Sequence, residues 1–511
     1  MLPDCLLGLD VGTQGVKGVV ITTDGRPLAR AHCEHFTRQP SPGWSEQDPE
    51  SHWWGDGLTI IRRLLAQPGV DPARIAAVGV TGLTPCLGLL GAAGGSPRAA
   101  ILYNDNRALD QLARVNRILG TALTAQAILP KWLWLAEHEP EALSAARARA
   151  IVSSYNYVVH RLTGAVTMDY DTASIVGDVF DPVSHQWHEG RCAALGLEAR
   201  LLPPPRPATD IAGGVTGEAA QATGLRPGTP VMVGTGDTFA SLLGCGAVDE
   251  GDAAIILGTT GLLTLTPHPL ERVAAGPHFE GSVPGLGVRW VANLLASGQV
   301  QTWFRAQLAP ALESLGPSSQ RPEAGAPDPY FALLDQEAAQ IAPGSQRLIA
   351  LPHWLGRRTP TADPNARGVL FGLTNVHTPA HIYRALLEGV GYAFRQGFDG
   401  VRAQVRRVVV TAGGAASPLL RQIIADVLET PLEYHANSGG AVGIAFMAGY
   451  ATGHIPDFRA IKTSWLRDPV IVEPRPMAVE IYRQLYPVYL NLDRALEPAF
   501  AMLQQTSAAA S

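Results

Sequence analysis

At 511 residues the chain is too long for one ordinary core, and two large domains are expected. Hydrophobic residues make up 46% and charged residues 16%, an ordinary soluble globular composition. The formal net charge of −6 argues against nucleic acid or an anionic membrane as partner, while leaving room for a phosphate held locally by backbone N–H groups and a cation.

The N-terminus carries Asp4 and Asp10 and no basic segment, so it does not read as a signal peptide. Leu6 to Val11 predicts a strand, Gly12-Thr13-Gln14-Gly15 a turn and Gly18 to Thr22 a second strand. Asp24-Gly25 is a hairpin signal, and the chain runs out again from Pro27. A Rossmann or P-loop site needs strand, glycine-rich loop, then helix, so a phosphate site at these turns must be of another type. His32-Cys33-Glu34-His35 has metal-like composition but sits on a predicted strand whose alternate side chains face opposite sides, and a surface strand is the preferred reading.

Asp48-Pro49 is a helix start, followed by Trp53, Leu58, Ile61, Leu64 and Leu65 at helical spacing, with the tryptophans read as core. Residues 75–97, the longest uncharged run, are broken by Pro85 and several glycines and predict strand–turn–strand, not a membrane span. Ala100 to Tyr103 predicts a strand, and the Pro/Gly-rich stretch from Leu201 to Gly214 a loop. Ala253 to Leu257, Gly258-Thr259-Thr260-Gly261 and Leu262 to Leu265 repeat the opening strand–turn–strand theme, which suggests an internal duplication. Pro310 to Asp328 reads as a mobile insertion, Thr378-Pro379 and Ser417-Pro418 as helix starts, and the tail after Met502 as disordered. Five scattered cysteines (Cys5, Cys33, Cys86, Cys192, Cys245) without a Cys-x-x-Cys predict no disulfide framework and fit a cytoplasmic location.

These residues, in order from Leu6 to His454, resemble the FGGY carbohydrate kinases of the actin/hexokinase-like superfamily, and within them the xylulokinase branch. The matching segments are Gly8-Leu9-Asp10-Val11-Gly12-Thr13 with Lys17, Trp44-Ser45-Glu46-Gln47-Asp48-Pro49, Asn104-Asp105-Asn106-Arg107-Ala108 and Gly234-Thr235-Gly236-Asp237. Further on they are Leu257-Gly258-Thr259-Thr260-Gly261, Gly356-Arg357-Arg358-Thr359-Pro360 with Asp363 to Gly368, and Thr411 to Pro418. The resemblance implies an α/β fold of two actin/hexokinase-like (ribonuclease H-like) domains, 1–248 and 249–511, with an interdomain cleft. It implies ATP and Mg²⁺, and a small sugar as the phosphoryl acceptor, a pentulose such as xylulose or another polyol, aldonic acid or ketose. The sequence leaves both monomer and homodimer open.

In the resembled family the two Gly/Thr turns hold the phosphates, which here implies Thr13, Gln14, Lys17, Gly258, Thr259 and Thr260, with Asp10 on Mg²⁺. Thr13-Gln14-Gly15 alone could equally be a plain hairpin turn. Asp237 is the implied general base, with capping of a helix over Thr238 to Leu243 as the bland alternative. Gly413 and Gly414, with Ser417, are implied at the adenosine, against the alternative of a tight strand-to-helix turn. Thr84, Pro85, Asn104, Asp105, Asp237 and Thr238 are the implied sugar contacts. The chain departs from the xylulokinase pattern at Leu83-Thr84-Pro85-Cys86, where Gln-Met-His-Gly is usual, at Arg357, where glutamate is usual, and at Tyr103, where tryptophan is common. An actin-like nucleotide switch and a silent sugar-binding regulator are the competing readings.

Overall fold

The computed structural model describes residues 4–92, 94–145, 149–267, 287–309 and 329–508. The stretch read as a mobile insertion, 310–328, lies outside them. The described residues of Met1–Gly246 and Ser438–Arg467 form one compact unit, and those of Ala247–Val273, Val288–Asn437 and Asp468–Ser511 form another. Segment 438–467, beyond the expected boundary at residue 248, thus completes the unit that the N-terminus begins.

The first unit is built on a sheet whose strands are β1 (Cys5–Val11), β2 (Gly15–Thr22), β3 (Pro27–Glu34), β4 (Ile75–Gly82), β5 (Ile211–Gly214), β6 (Pro230–Met232) and β7 (Thr235–Gly236). They lie in the order β5-β6-β4-β1-β2-β3, with β7 also pairing β4. From the β3 end, the neighbours are antiparallel, antiparallel, parallel, parallel and antiparallel.

The second unit has β8 (Asp252–Leu257), β9 (Gly261–Leu265), β10 (Arg289–Leu294), β11 (Arg407–Thr411), β12 (Leu432–Tyr434) and β13 (Val470–Val472), in the order β10-β9-β8-β11-β12-β13. From the β10 end the same sequence of senses recurs. The repetition read from two short turns therefore extends across six strands of each sheet.

Apolar alternation explains which face each strand buries. On one side of the first sheet, Leu7, Leu9, Val78 and Val80 pack with Ile60, Ile61 and Leu64 of the helix Asp56–Leu65 and with Tyr155 of the helix Ser154–Thr163. The helix Gly440–Ala451, apolar and almost wholly buried, covers β1 and β4. It comes so close that a Cβ on Gly8 would stand 2.0 Å from the Ala441 carbonyl oxygen, and one on Gly79 2.3 Å from that of Ile444. Glycine is required there by backbone approach.

Several expectations shift in detail. Asp48 caps a turn by accepting from the Glu50 N–H at 2.9 Å, but that turn (Pro49–Gly55) is π-helical before the α-helix starts at Asp56. Leu201 to Gly214 is not a plain loop: Ile211–Gly214 is edge strand β5, because pairing with β6 satisfies a backbone whose glycines gave no strand signal. The tail forms the helix Glu497–Ala508 instead of ending in disorder after Met502. His35 is not a surface residue: at 6% exposure its Nδ1 lies 2.9 Å from Asp56 Oδ2 and its Nε2 3.1 Å from the Gly12 carbonyl oxygen. Among the described residues no cluster of His, Cys, Asp or Glu could hold a metal by itself, and no helix is long and apolar enough to cross a membrane.

Candidate active site

In the first unit the candidate residues gather at the ends of three strands. Asp10 stands beside Thr81 on parallel β4 and opposite Lys17 on β2. On the other side of β4, Thr235 pairs with Thr81 and Gly236 with Gly82, which delivers Asp237 as the first residue of the helix Asp237–Gly244. Thr81 thus lies between the segments carrying the two carboxylates. Its hydroxyl donates to the Thr235 carbonyl at 2.7 Å.

Burial pushes the Asp237 carboxyl up to about 7, with the neighbouring Asp10 charge adding to the rise and Thr238 opposing it. Asp10 is raised as well, by burial, against the pull of Lys17. The cap position of the helix belongs to Gly236, which carries no side-chain cap bond, and Asp237 opens the first turn. The Thr238 hydroxyl lies 3.5 Å from Asp237 Oδ1. A feature absent from the sequence reading is Gly440, at the N-terminus of its helix. A Cβ there would lie 2.7 Å from Asp10 Oδ2, in the space beside the carboxylate. The Gly439-Gly440 pair opening an apolar run was the available signal.

The first turn is braced through its carbonyls. Gln47 donates to the Thr13 carbonyl at 2.7 Å and accepts from Trp53 Nε1 at 2.8 Å, while His35 reaches the Gly12 carbonyl. Trp53 is fully buried, as the core reading expected. Gln14 and Lys17 are exposed and Thr13 half-buried. Among the described residues, the Thr13 and Gln14 N–H groups donate to no protein acceptor.

In the second unit, the turn between β8 and β9 is braced through backbone hydrogen bonds. The Thr259 carbonyl accepts from the N–H groups of Ser297 (3.0 Å) and Gln299 (3.2 Å), and that of Gly258 from Gly298 (2.9 Å). Thr259 is exposed, with Gly258 and Thr260 half-buried. After β11, a Cβ on Gly413 would meet nothing within 4 Å, whereas one on Gly414 would stand 2.9 Å from Leu257 Cβ and 3.0 Å from its carbonyl oxygen. The space beside Gly413 is open, whereas Gly414 serves the packing of its own turn. Ser417 is committed as a cap, accepting from Leu420 N–H at 3.0 Å and donating to Asp335.

Among the implied sugar contacts, Asn104 is exposed and Pro85 buried. Among the described residues the buried Thr84 hydroxyl has no hydrogen-bond partner, and its Cγ2 would lie 2.5 Å from a Cβ on Gly236, so it adjoins the segment that carries Asp237. Asp105 is differently placed. At 1% exposure its carboxylate accepts from Ser45 N–H (2.6 Å), Arg107 N–H (2.9 Å), Arg107 Nε (2.9 Å) and Arg107 Nη2 (2.7 Å). Arg107 in turn lies over the Trp44 ring at 3.8 Å and pairs with Glu46 at 2.8 Å. Asp105 holds that stack together. Arg357, where the resembled family has glutamate, is 5% exposed and pairs with Asp493 and Glu497, so the reversed charge is answered within the second unit. The Cys86 thiol is buried and raised by that burial.

Two carboxylates and a lysine stand near a braced turn, an arrangement suited to phosphoryl transfer. The N-terminal domain of the FGGY family of carbohydrate kinases matches residues 5–244, and its C-terminal domain residues 253–452. The chain belongs to this family and is a sugar kinase. It is 32% identical over 458 residues to the xylulose kinase of Escherichia coli (strain K12), covering 86% of this chain and 88% of that protein. It is 26% identical over 545 residues to the gluconokinase of Bacillus subtilis (strain 168), covering 98% and 97% respectively. The crystal structure of xylulose kinase from Rhodospirillum rubrum superposes with a TM-score of 0.78 at 29% identity, covering 97% of this chain and all of that one. Membership in a carbohydrate kinase family sets aside the actin-like switch as the chain's class.

Proposed function

We propose that the chain transfers the γ-phosphoryl group of ATP to a hydroxyl of a pentulose such as xylulose, with Asp237 as general base. The supporting observation is the Asp237 carboxyl itself, raised to about 7 at the tip of β7 beside Asp10. A base of that strength is half-ionised near neutrality and can accept the proton of the attacking hydroxyl as the new P–O bond forms. Lys17, Thr13 and Gln14 would meet the phosphate end, with Thr84, Asn104 and Thr238 contacting the sugar and Asp105 keeping the Asn104 segment in place.

Mg²⁺ fits the residues present. Two neighbouring carboxylates raise each other's cost of ionisation, and the space beside Asp10 is kept open by Gly440. Mg²⁺ is usually held by one or two carboxylates, waters and substrate phosphates, so Asp10 suffices as principal protein ligand. When bound it would neutralise charge on the phosphates. Residues 249–511 are proposed to serve the nucleotide, through Gly258, Thr259 and Thr260 at the phosphates and Gly413 at the adenosine, with Gly414 and Ser417 shaping that turn. Residues 1–248 serve sugar and phosphate, joined there by the helix Gly440–Ala451. A cytoplasmic location accords with this metabolic role.

The absence of histidine and glutamine at 83–86, together with the gluconokinase likeness, supports a second reading in which the acceptor is an aldonic acid or another ketose. ADP release followed over ketopentoses, aldonic acids, glycerol, erythritol and deoxy-ketoses separates the two. Asp237→Asn should abolish sugar-dependent ADP release while nucleotide binding persists. Near-normal turnover of that variant would overturn the base assignment.

A further inference from the structure

The segment that carries Asp237 is pinned from beneath by a buried polar chain that the reaction itself does not use. Thr235 Oγ1 donates to Asp169 Oδ2 at 2.8 Å, and Thr235 is fully buried. The other oxygen of Asp169 accepts from the Tyr155 hydroxyl, which also lies 2.9 Å from Thr172 Oγ1. Asp169 and Tyr155 are both 0% exposed. The Tyr155 ring also packs under the same turn, since a Cβ on Gly234 would stand 3.0 Å from its Cδ2. One residue earlier on the same helix, Ser154 Oγ donates to the Val11 carbonyl at 2.7 Å, next to Asp10. Two successive residues at one helix start thus reach both carboxylate-bearing strand ends.

We infer that Thr235, Asp169 and Tyr155 are positioning residues, which fix the Gly236-Asp237 turn against β4 so that the base meets the attacking hydroxyl in line. Buried polar groups of this kind are costly unless every member is partnered, and a fully partnered network holds one arrangement rather than several. Thr235 is held twice, by its hydroxyl to Asp169 and by its carbonyl to Thr81, which leaves the turn little freedom to slide along the strand. A misplacement of about 1 Å at a reacting group can cost on the order of 10²-fold in rate without weakening binding. The inference rests on the reading of Asp237 as the base.

The test compares Thr235→Val, Thr235→Ser, Tyr155→Phe and the Thr235→Val/Tyr155→Phe double variant by steady-state kinetics, in the full chain. Valine keeps the shape and removes the donor. It should lower kcat by roughly 10- to 100-fold while KM for sugar and for ATP stays within about threefold. Serine restores the donor and should return kcat to within about threefold of the parent. Because both single variants loosen the same brace, the double variant should lose less than the product of the two single losses. A kcat unchanged in Thr235→Val, a failure of serine to rescue, or strictly multiplicative losses would each overturn the inference. If Thr235→Val does not fold, Tyr155→Phe, which keeps its ring under Gly234, carries the test by the same split between kcat and KM. Asp237→Asn keeps the two ideas apart. An active Asp237→Asn sinks the base assignment, while an inactive Asp237→Asn beside a normal Thr235→Val sinks only the positioning role.

Discussion

The Asp237 carboxyl has two consequences that run in opposite directions with pH. As a base it works only when ionised, so kcat/KM should climb with pH and level off above about 7, the value to which burial and Asp10 raise it. In the unfolded chain the same group titrates near its ordinary 3.8. Between those values the folded state holds a proton that the unfolded state has released, so this carboxyl's contribution to stability falls as pH rises through that window. A pH–rate profile of the free enzyme, taken with limiting sugar, would show the ascending limb. A flat profile from pH 5 to 8 would contradict it.

At the glycine pair, structure separates residues that the sequence treated alike. Gly413 looks into open space, while a Cβ at Gly414 would press on Leu257. Gly413→Val should therefore raise the KM for ATP several-fold with little change in thermal stability. Gly414→Val should lower stability by about 1–3 kcal/mol through overpacking. Thermal unfolding and ATP titration of both variants would show whether the effects divide this way.

At the scale of elements, the two Gly/Thr turns share a chain pattern but not a brace. The first depends on side chains, above all Gln47, whose amide donates to Thr13 and accepts from Trp53. The second depends on backbone N–H groups at the start of the helix Gly298–Leu308. Gln47→Glu would replace the donor with a carboxylate facing the Thr13 carbonyl. An unmade hydrogen bond of this kind costs about 1–3 kcal/mol, so kcat/KM for ATP should fall roughly tenfold or more while Trp53 fluorescence reports an intact core. Unchanged ATP kinetics would mean the first turn is not a phosphate site.

The turns, Asp10 and Asp237 were legible because each is a short pattern of residues adjacent in the chain, with strand and turn signals on either side. Their supports were not. The Thr235–Asp169 bond joins residues 66 apart, and the approach of the Ala441 carbonyl to Gly8 crosses most of the chain, so neither leaves a local periodicity. Asp105 shows the converse. Its neighbour Arg107 was in the quoted motif, but only the fold reveals that the guanidinium takes both carboxylate oxygens.

At the scale of the molecule, the chain leaves its first unit near Gly246 and returns to it at Ser438. The helix Gly440–Ala451 packs on β1 and β4 and on the helix Asp237–Gly244. A fragment ending at Gly246 would leave the close-approach surface around Gly8 and Gly79 uncovered. Such a fragment should be aggregation-prone and should lack a cooperative thermal transition. Appending 438–467 through a flexible linker should restore the transition, as circular dichroism can follow. Cooperative unfolding of the bare fragment would show that the late helix is dispensable.

The split also sets an order of events at the ribosome. The segments that carry Asp10 and Asp237 emerge early, yet the helix that seals them is encoded after most of the second unit. At about 5–20 residues per second, the nascent first unit must wait some tens of seconds, part-built and with one greasy sheet face exposed, before its last piece arrives. Chaperone capture should peak in that interval, and synonymous codon changes that slow translation ahead of residue 438 should lower the yield of active enzyme.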